Sequence, residues 1–324
     1  MPLLNWNREP RQAQAPRPAY HPAAGGRVSV EVLPFDPELA PGLATEPPAR
    51  SGIFEACANS RCRSTRVKLW RGLRGAVFEG RWCCSPGCMR AQLELAFGRE
   101  MHLRSAAAEV HPHRIPLGLT MLEHGWITAA QLRAALDAQK ATGAGRLGQW
   151  LVRQRAASEE LVTRALGLQW SSPVMSAVHY DGEAIAALVP RLFVDAFGVL
   201  PLRVAAGKLL YLGFENRPDP VLAHAVERMS GLRVETGVVQ DSVFRPAHED
   251  MLAAQYPRAG LIETSSSLTL LDALLKAMEQ ARPVDACLAR VHDCLWLRIW
   301  LRPQKGAVPQ CGTVEDLICS VGAH

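Results

Sequence analysis

The chain of 324 residues has no uninterrupted apolar stretch near the roughly 20 residues that a membrane-spanning helix needs. It contains no Gly-x-x-x-x-Gly-Lys-Ser/Thr loop, the motif that holds nucleotide phosphates in P-loop proteins. The His-Glu-x-x-His and Gly-x-Ser-x-Gly motifs of zinc proteases and serine hydrolases are missing as well. We therefore expect no membrane insertion, no ATP hydrolysis and no other enzymatic activity.

Length and composition predict two or three compact domains behind a disordered tail. Residues 1–50 are rich in Pro, Arg and Ala and show no apolar period, which is typical of disorder. No secretory signal peptide is apparent, and the cysteines after residue 88 fall in segments that resemble ordinary core. This pattern predicts a cytoplasmic protein with reduced thiols.

Two closely spaced cysteine pairs flank a predicted hairpin. They are Cys57-Ala-Asn-Ser-Arg-Cys62 and Cys84-Ser-Pro-Gly-Cys88, and the second pair opens a predicted helix. Four thiolates from two such pairs suit the tetrahedral coordination of a structural Zn²⁺. Cys83 is the alternative to Cys84, but Cys-Ser-x-x-Cys after an aromatic-rich strand resembles MYM/TRASH-like fingers and favours Cys84. We predict a treble-clef-like zinc finger over residues 51–104, with Cys57, Cys62, Cys84 and Cys88 as ligands.

Much of the net charge of +5 lies near this finger. The basic cluster consists of Arg61, Arg63, Arg66, Lys68, Arg71, Arg74 and Arg81. Such a cluster is the basis of an alternative hypothesis, nucleic-acid binding through phosphate contacts. No recognition helix with base-reading side chains can be identified, so a solvated basic face is the more common explanation.

Two segments of 24 residues, Pro116–Gln139 and Arg146–Gln169, repeat one pattern. Without a gap, Leu117-Gly118 aligns with Leu147-Gly148, and Gln139 aligns with Gln169. Two copies are too few for a solenoid, so we predict a pseudo-symmetric pair of helical units that builds a site between them. Core packing explains the repeated leucines, but it does not by itself require the glycine after the first leucine or the closing glutamine.

Each copy has the composition of a short helix followed by a longer, capped helix. Thr128 with Gln131 has the form of a capping box, and Ser158 is the matching cap in the second copy. Gly125 suits the left-handed conformation that ends the short helix. The second copy has Arg155 at this place, where a left-handed conformation would cost about 1 kcal/mol.

Strands and helices are predicted after the repeats. Val199–Val204 and Lys208–Phe214 are expected to form a hairpin around Ala206-Gly207. A helix between Pro218 and Gly231 and a strand over Leu232–Val239 complete a small mixed sheet covered by helices. This part of the chain is therefore predicted to be α+β.

The repeated motif, followed by this order of elements, resembles the GspE N-terminal (MshEN-like) domain of type II secretion and type IV pilus assembly ATPases. The resemblance covers about residues 115–255, and we place the domain at 105–258. It implies a cyclic di-GMP site in which the opening arginine of each motif meets a guanine. The Leu-Gly pair would give backbone and apolar contact, and the closing glutamine would hydrogen-bond the ligand. A protein partner from the secretion or pilus machinery is also implied.

The two motifs match this pattern unequally. The second keeps Arg146, Leu147, Gly148 and Gln169; the first keeps Leu117, Gly118 and Gln139. Pro116 stands where the first arginine is expected, and Arg114 is a candidate replacement two residues upstream. Because a fold does not by itself carry a function, retained binding, binding of another nucleotide and a purely structural role all stay open.

Residues 259–324 lie beyond the resemblance and are predicted to form a small α+β unit. We expect a helix from Ser267 to just before Pro283, strands over Asp285–Arg290 and Cys294–Arg302, and a final helix over residues 313–322. Both faces of the second strand carry apolar side chains, so it should pack against another element or a partner. His292, Asp293 and Cys294 adjoin, but neighbouring strand residues point to opposite faces, so no catalytic site is expected there.

Together these patterns predict an α+β protein: a small zinc finger, a helical tandem-repeat plus mixed-sheet domain, and a small α/β C-terminal unit. We expect a non-enzymatic regulatory or adaptor protein. A nucleic-acid-binding regulator is the alternative.

Overall fold

The computed structural model describes residues 54–67, 76–106, 114–176, 180, 182–264 and 266–321. The predicted tail over residues 1–50 lies outside the described residues. Among the helices that are described, none is long and apolar enough to cross a membrane.

Short strands and one long helix form the predicted finger segment. Strand β1 (Phe54–Ala56) pairs antiparallel with β2 (Thr65–Val67), and β3 (Ala76–Phe78) pairs antiparallel with β4 (Arg81–Cys83). Helix α1 (Pro86–Ala106) follows directly, with Pro86 at a position where its missing N–H costs no helical hydrogen bond.

The tandem repeats form four helices. These are α2 (Leu117–Glu123), α3 (Ala129–Thr142), α4 (Leu147–Arg153) and α5 (Glu159–Trp170). The capping box of Thr128 and Gln131 is present, and the Ser158 hydroxyl accepts from the backbone N–H of Leu161. Residues 30 positions apart occupy the same place in the two copies, and several such pairs lie together in the core that the four helices share. The two copies therefore pack as pseudo-symmetric units.

A mixed α+β layer follows. It contains α6 (Gly182–Ile185), a 3₁₀ turn (Ala186–Leu188), α7 (Arg191–Phe197), β5 (Val199–Ala205), β6 (Leu209–Phe214), α8 (Pro220–Ser230), β7 (Arg233–Val238) and α9 (Asp241–Ala253). Strands β5 and β6 form the expected antiparallel hairpin, and β7 adds to β6 in parallel. The α+β class predicted from the sequence is confirmed.

The C-terminal elements are β8 (Arg258–Thr264), α10 (Ser267–Ala281), β9 (Asp285–Val291), β10 (Cys294–Trp300) and β11 (Val314–Val321). The predicted final helix over residues 313–322 is wrong, because β11 pairs antiparallel with β10 and parallel with β8. The finger hairpin joins the same sheet through β3, which pairs in parallel with β9. The resulting six-stranded sheet has the order β4-β3-β9-β10-β11-β8.

This six-stranded sheet separates two apolar cores. Leu288 and Leu297 on one face pack with Leu93 of α1 and Leu274 of α10. Trp296 on the other face packs with residues of the α+β layer. Strand β10 is therefore buried on both faces, as its apolar composition predicted.

An ion pair crosses the inner strands of the sheet. Arg298 is fully buried, and its Nε and Nη2 atoms donate to the two carboxylate oxygens of Asp316 at 2.8 and 2.9 Å. Its Nη1 atom donates to the Leu188 carbonyl at 3.1 Å, and the Trp296 indole donates to Asp316 at 2.7 Å. Each buried charge thus has hydrogen-bonding partners, as a charge in a low-dielectric interior requires.

Candidate functional site

A cleft of about 580 Å³ separates the second repeat from the α+β layer. One wall contains residues of α4 and α5, including Arg146, Leu147, Gly148, Glu159, Gln169 and Trp170, together with Leu117 of the first repeat. The opposite wall contains Glu215, Asn216 and Arg217 after β6, and Asp241, Ser242 and Arg245 at the start of α9. The structure therefore brings five of the eight predicted ligand-contact residues to one cleft.

Arg146 precedes α4 and crosses the cleft. Its side chain is about half exposed, and its Nη1 atom lies 2.8 Å from the largely buried carboxylate of Glu215. Glu215 lies 3.4 Å from Arg245 as well. The predicted opening arginine is therefore present in the cleft and already has an internal carboxylate partner.

A chain of polar contacts continues from Arg245 back to the repeat. Arg245 donates to Asp241 at 2.6 Å, and Asp241 accepts from the Gln149 amide at 3.5 Å. The backbone N–H of Ser242 donates to Glu159 at 2.5 Å. Burial alone would raise the pKa of Asp241, but its hydrogen bond with Arg245 contributes to holding that pKa below its usual value. These contacts fasten the second repeat to α9.

The glycine of each Leu-Gly pair has a packing role that the sequence did not reveal. A Cβ atom on Gly148 would lie 2.6 Å from Val162 Cγ1, and one on Gly118 would lie 2.6 Å from Leu132 Cδ1. Val162 and Leu132 occupy the same position in the two repeats. The statement that core packing does not require these glycines is therefore wrong, because each one lets a short helix approach the following helix closely.

The closing glutamines are related by the same pseudo-symmetry. Gln139 Nε2 donates to the carbonyl of Gly145, and Gln169 Nε2 donates to the carbonyl of Ile115, both at 2.8 Å. Gly145 and Ile115 each come directly before the opening position of a motif. Each glutamine thus holds the start of the other repeat, and of the two only Gln169 lines the cleft.

Arg114 lies beside the end of α5. Its guanidinium carbon is 4.1 Å from the centre of the Trp170 ring, and its Nη1 atom donates to the Gln169 carbonyl at 2.8 Å. Arg114, Gly118 and Gln139 do not line the cleft that contains Arg146.

Four thiols converge in the finger segment. The Sγ atoms of Cys57, Cys62, Cys84 and Cys88 all lie within 4.8 Å of one another, so this group could hold a metal ion. Cys57 follows β1, Cys84 follows β4, and Cys88 lies in the first turn of α1. Hydrogen bonds to Ser64 lower the pKa of Cys62 to about 6.

Cys83 is not a member of this thiol group. Its side chain is fully buried in the core beneath α1, and burial raises its pKa to about 12. Burial also raises the pKa of Cys57, a member of the group, to about 11, so position rather than pKa separates Cys83 from the group.

The basic cluster is only partly within the described residues. Lys68, Arg71 and Arg74 lie outside them, whereas Arg61, Arg63 and Arg81 are exposed. Arg66 is paired with Glu55 at 2.7 Å and lies over the Trp82 ring.

Comparison with known proteins finds similarity in solved structures. No protein-family model and no curated protein matches the chain. The chain is similar to the structure of MshE with cdg, at 26% identity and a TM-score of 0.35, over 43% of this chain and 99% of that one. It is also similar to the N-terminal domain of XpsE, at 20% identity and a TM-score of 0.30, over 43% of this chain and 93% of that one. A second crystal form of the XpsE domain gives 20% identity and a TM-score of 0.25, over 42% and 91% of the two chains.

Proposed function

We propose that this protein is a non-enzymatic regulatory or adaptor module that binds a cyclic dinucleotide, with cyclic di-GMP as the first candidate. The binding site is the cleft beside the second repeat. The observation that carries this proposal is the presence of Arg146, Leu147, Gly148 and Gln169 along one cleft. These are the positions to which the family resemblance of the repeated motif assigns ligand contacts.

The chemistry of the cleft suits a purine dinucleotide. Its volume of about 580 Å³ is within the usual range for small-ligand sites. Arginine side chains stack on bases and bind phosphates, and the Trp170 ring is a second stacking surface. Carboxylates such as Glu159 can accept from the N–H groups of a guanine edge. Because Glu215 already binds Arg146, any ligand group that contacts Arg146 must compete with that carboxylate, which weakens binding.

Calorimetry of the full chain with cyclic di-GMP, cyclic di-AMP and GTP tests the proposal. Arg146→Ala should cost about 1.5–3 kcal/mol of binding free energy, because it removes a charge-assisted contact. Arg133→Ala is a matched control, since Arg133 is exposed on α3, donates to the Ala129 carbonyl of its own helix and does not line the cleft. Pro116→Arg should strengthen binding, and Gln139→Ala should weaken it less than Gln169→Ala.

The proposal fails if no cyclic dinucleotide binds at millimolar concentration, or if Arg146→Ala leaves the affinity unchanged. A DNA-binding assay over a series of salt concentrations tests the alternative function. Binding of DNA without binding of any nucleotide would favour a nucleic-acid regulator.

We further propose that the thiol group holds one structural Zn²⁺. Zinc–sulfur bonds of about 2.3 Å in tetrahedral geometry place the sulfur atoms about 3.8 Å apart. The Sγ atoms of Cys62 and Cys84 are 3.5 Å apart, and those of Cys84 and Cys88 are 3.6 Å apart. This spacing supports a site that all four thiolates close, which is the coordination of structural rather than catalytic zinc. Free thiols of this kind are also consistent with the predicted cytoplasmic location.

A further inference from the structure

The arginines that line the cleft differ in their carboxylate partners. Arg146 is bound to Glu215, and Arg245 is bound to Asp241 and approaches Glu215. Within the described part of the chain, neither Arg153 nor Arg217 has a carboxylate within ion-pair distance. Arg153 lies over the Trp150 ring at 5.2 Å, and Arg217 lies over the Trp170 ring at 4.9 Å.

Arg217 lies outside both repeats, on the segment between β6 and α8. Two acidic residues lie two positions from it along the chain, Glu215 and Asp219, and both are engaged elsewhere. Glu215 binds Arg146, and Asp219 contacts His292 at 2.6 Å and accepts from the first backbone N–H groups of α8. Arg217 is exposed and lines the cleft, and neither of these two carboxylates forms an ion pair with it.

Arg217 is one of two arginines that contact the Trp170 ring. The Trp170 ring also contacts Arg114, at 4.1 Å, and Arg114 is fixed by its hydrogen bond to the Gln169 carbonyl. If Arg217 turned toward a ligand, Trp170 would keep a cationic partner and gain a ring surface for a base. The displaced guanidinium and the ring would then offer a phosphate contact and a stacking contact side by side.

We propose that Arg217 is a phosphate-binding cation of the cleft, a deduction that rests on the cyclic-dinucleotide function proposed above. An anion that binds Arg146 must displace Glu215, whereas an anion that binds Arg217 displaces no carboxylate. Arg217 therefore takes a phosphate of the dinucleotide, which leaves Arg146 for the guanine contact that the family resemblance implies.

The test compares variants of the full chain by calorimetry with cyclic di-GMP and, separately, with inorganic pyrophosphate. Arg217→Ala should weaken both by about tenfold or more, since a charge-assisted contact is lost. Arg217→Lys should restore part of the pyrophosphate affinity, because it keeps the charge. Arg203→Ala is the matched control: Arg203 lies over the Tyr211 ring at 4.6 Å but does not line the cleft. The Arg203→Ala variant should bind cyclic di-GMP and pyrophosphate with the affinities of the wild type.

The outcomes separate this inference from the proposed function. If cyclic di-GMP binds Arg217→Ala as tightly as the wild type, the inference is wrong and the proposed function stands. If pyrophosphate binds in an Arg217-dependent manner but no cyclic dinucleotide binds, the anion site stands and the dinucleotide proposal falls. If neither probe binds the wild type, both fall. Thermal unfolding of each variant shows whether a loss of binding reflects a loss of fold.

Discussion

Because Gly148 has no side chain, helix α4 can pack closely against Val162 of α5 in the second repeat. Val162 is a stiff, β-branched neighbour, so Gly148→Ala forces it or the backbone to move. We expect a loss of about 1–3 kcal/mol in the free energy of unfolding, as for other overpacked cores. Gly118→Ala should cost less, because the flexible end of Leu132 can turn away.

Gly98 is the control for this pair. It lies inside α1, and a Cβ atom there would meet nothing within 4 Å. Gly98→Ala should raise the free energy of unfolding by about 0.5–1 kcal/mol through helix propensity. Denaturant unfolding measures all three variants. Equal effects of Gly98→Ala and Gly148→Ala would contradict the packing explanation.

Serine substitutions at the adjacent residues Cys83 and Cys84 test the proposed zinc site. Cys84→Ser should lower the zinc content of purified, reduced protein, because Cys84 Sγ lies in the thiol group. Cys83→Ser should leave about one zinc per chain, the ratio that four thiolates around one ion require. Elemental analysis measures both. The opposite pattern would make Cys83 the ligand, and an absence of metal in the wild type would remove the zinc proposal.

The site residues found from the sequence are those that the duplication and the family resemblance mark. Aligning the repeats brings out Gly148 and Gln169, the resemblance adds Arg146, and all three line the cleft. Glu215 and Arg217 were missed, because they lie outside the repeats and reach the cleft only when the sheet of β5, β6 and β7 packs against α5 through β7. The one local signal for Glu215 and Arg217 in the sequence is that bulky polar residues come directly after an apolar strand.

At the scale of elements, Arg155 keeps the left-handed conformation of its repeat counterpart. Its φ is 54°, and φ of Gly125 is 68°. Both residues donate to the equivalent carbonyl of the short helix before them, at 2.9 Å. Arg155→Gly should therefore raise the free energy of unfolding by about 1 kcal/mol, the cost of a left-handed side-chain-bearing residue.

Gly125→Ala is the reverse experiment. No atom lies within 4 Å of the added Cβ, so the change isolates backbone strain. It should lower stability by about 1 kcal/mol. Chemical denaturation of both variants gives the comparison, and a destabilised Arg155→Gly protein would show that the arginine side chain matters more than its backbone.

Strand β11 explains why one element was mispredicted. Val314, Asp316 and Ile318 face the same core, so the strand has a period of two with a carboxylate in an apolar row. In the sequence, Asp316 interrupts that alternation, so the period of a strand is not apparent. Its burial depends on Arg298 on the neighbouring strand, and a contact between separate segments is not visible in local composition. Hairpin β5–β6 was predicted correctly because its turn and alternation are local.

The turn between β9 and β10 is tied to α8 by a pH-sensitive pair. The hydrogen bond to Asp219 raises the pKa of His292. Burial alone would raise the pKa of Asp219, but the contacts with His292 and the backbone N–H groups of Leu222 and Val221 together hold it below its usual value. The stabilisation from His292 is complete below its unfolded pKa of about 6.5 and is lost as pH rises past its folded pKa. That from Asp219 is present above its unfolded pKa of about 3.9 and is lost as pH falls through its lowered folded pKa.

The difference in the free energy of unfolding between the wild type and His292→Gln measures the contribution of this pair. It should be about 1 kcal/mol near pH 5.5, the upper end of the range for exposed ion pairs, because this pair is partly buried, and smaller near pH 8.5. Arg217 opposes protonation of His292, and Asp293 favours it. Urea unfolding at the two pH values measures the difference, and a value that grows with pH would refute the assignment.

At the scale of the whole molecule, the finger segment and the C-terminal segment share one sheet and one core. The backbone N–H groups of Val77 and Glu79 donate to the carbonyls of Val284 and Ala286, both at 2.8 Å. The sequence placed these segments in separate units, because their pairing spans about 200 residues of chain and leaves no local pattern.

An ion network extends this connection to the α+β layer. Glu100 of α1 is almost fully buried and accepts from Arg228 of α8 at 2.8 Å and from Arg99 at 2.8 Å. Arg228 also donates to Glu79 and to the Leu288 carbonyl. Breaking one contact of this network would leave a buried charge unpaired, which is costly. We therefore expect α1, β9 and α8 to behave as one rigid unit.

Metal removal should therefore affect more than the finger. Structural zinc contributes on the order of 10 kcal/mol to the folding of isolated fingers. Here Cys84 follows β4 and Cys88 lies in α1, while β3 pairs with β9 and α1 packs against β9 and α10. Loss of the proposed metal should therefore also loosen these two C-terminal elements. Hydrogen exchange before and after chelation measures this directly. We expect faster exchange in α1, β9 and α10 and little change in α3, whose core is separate. Faster exchange confined to residues 54–106 would show that the finger folds as an independent unit despite the shared sheet.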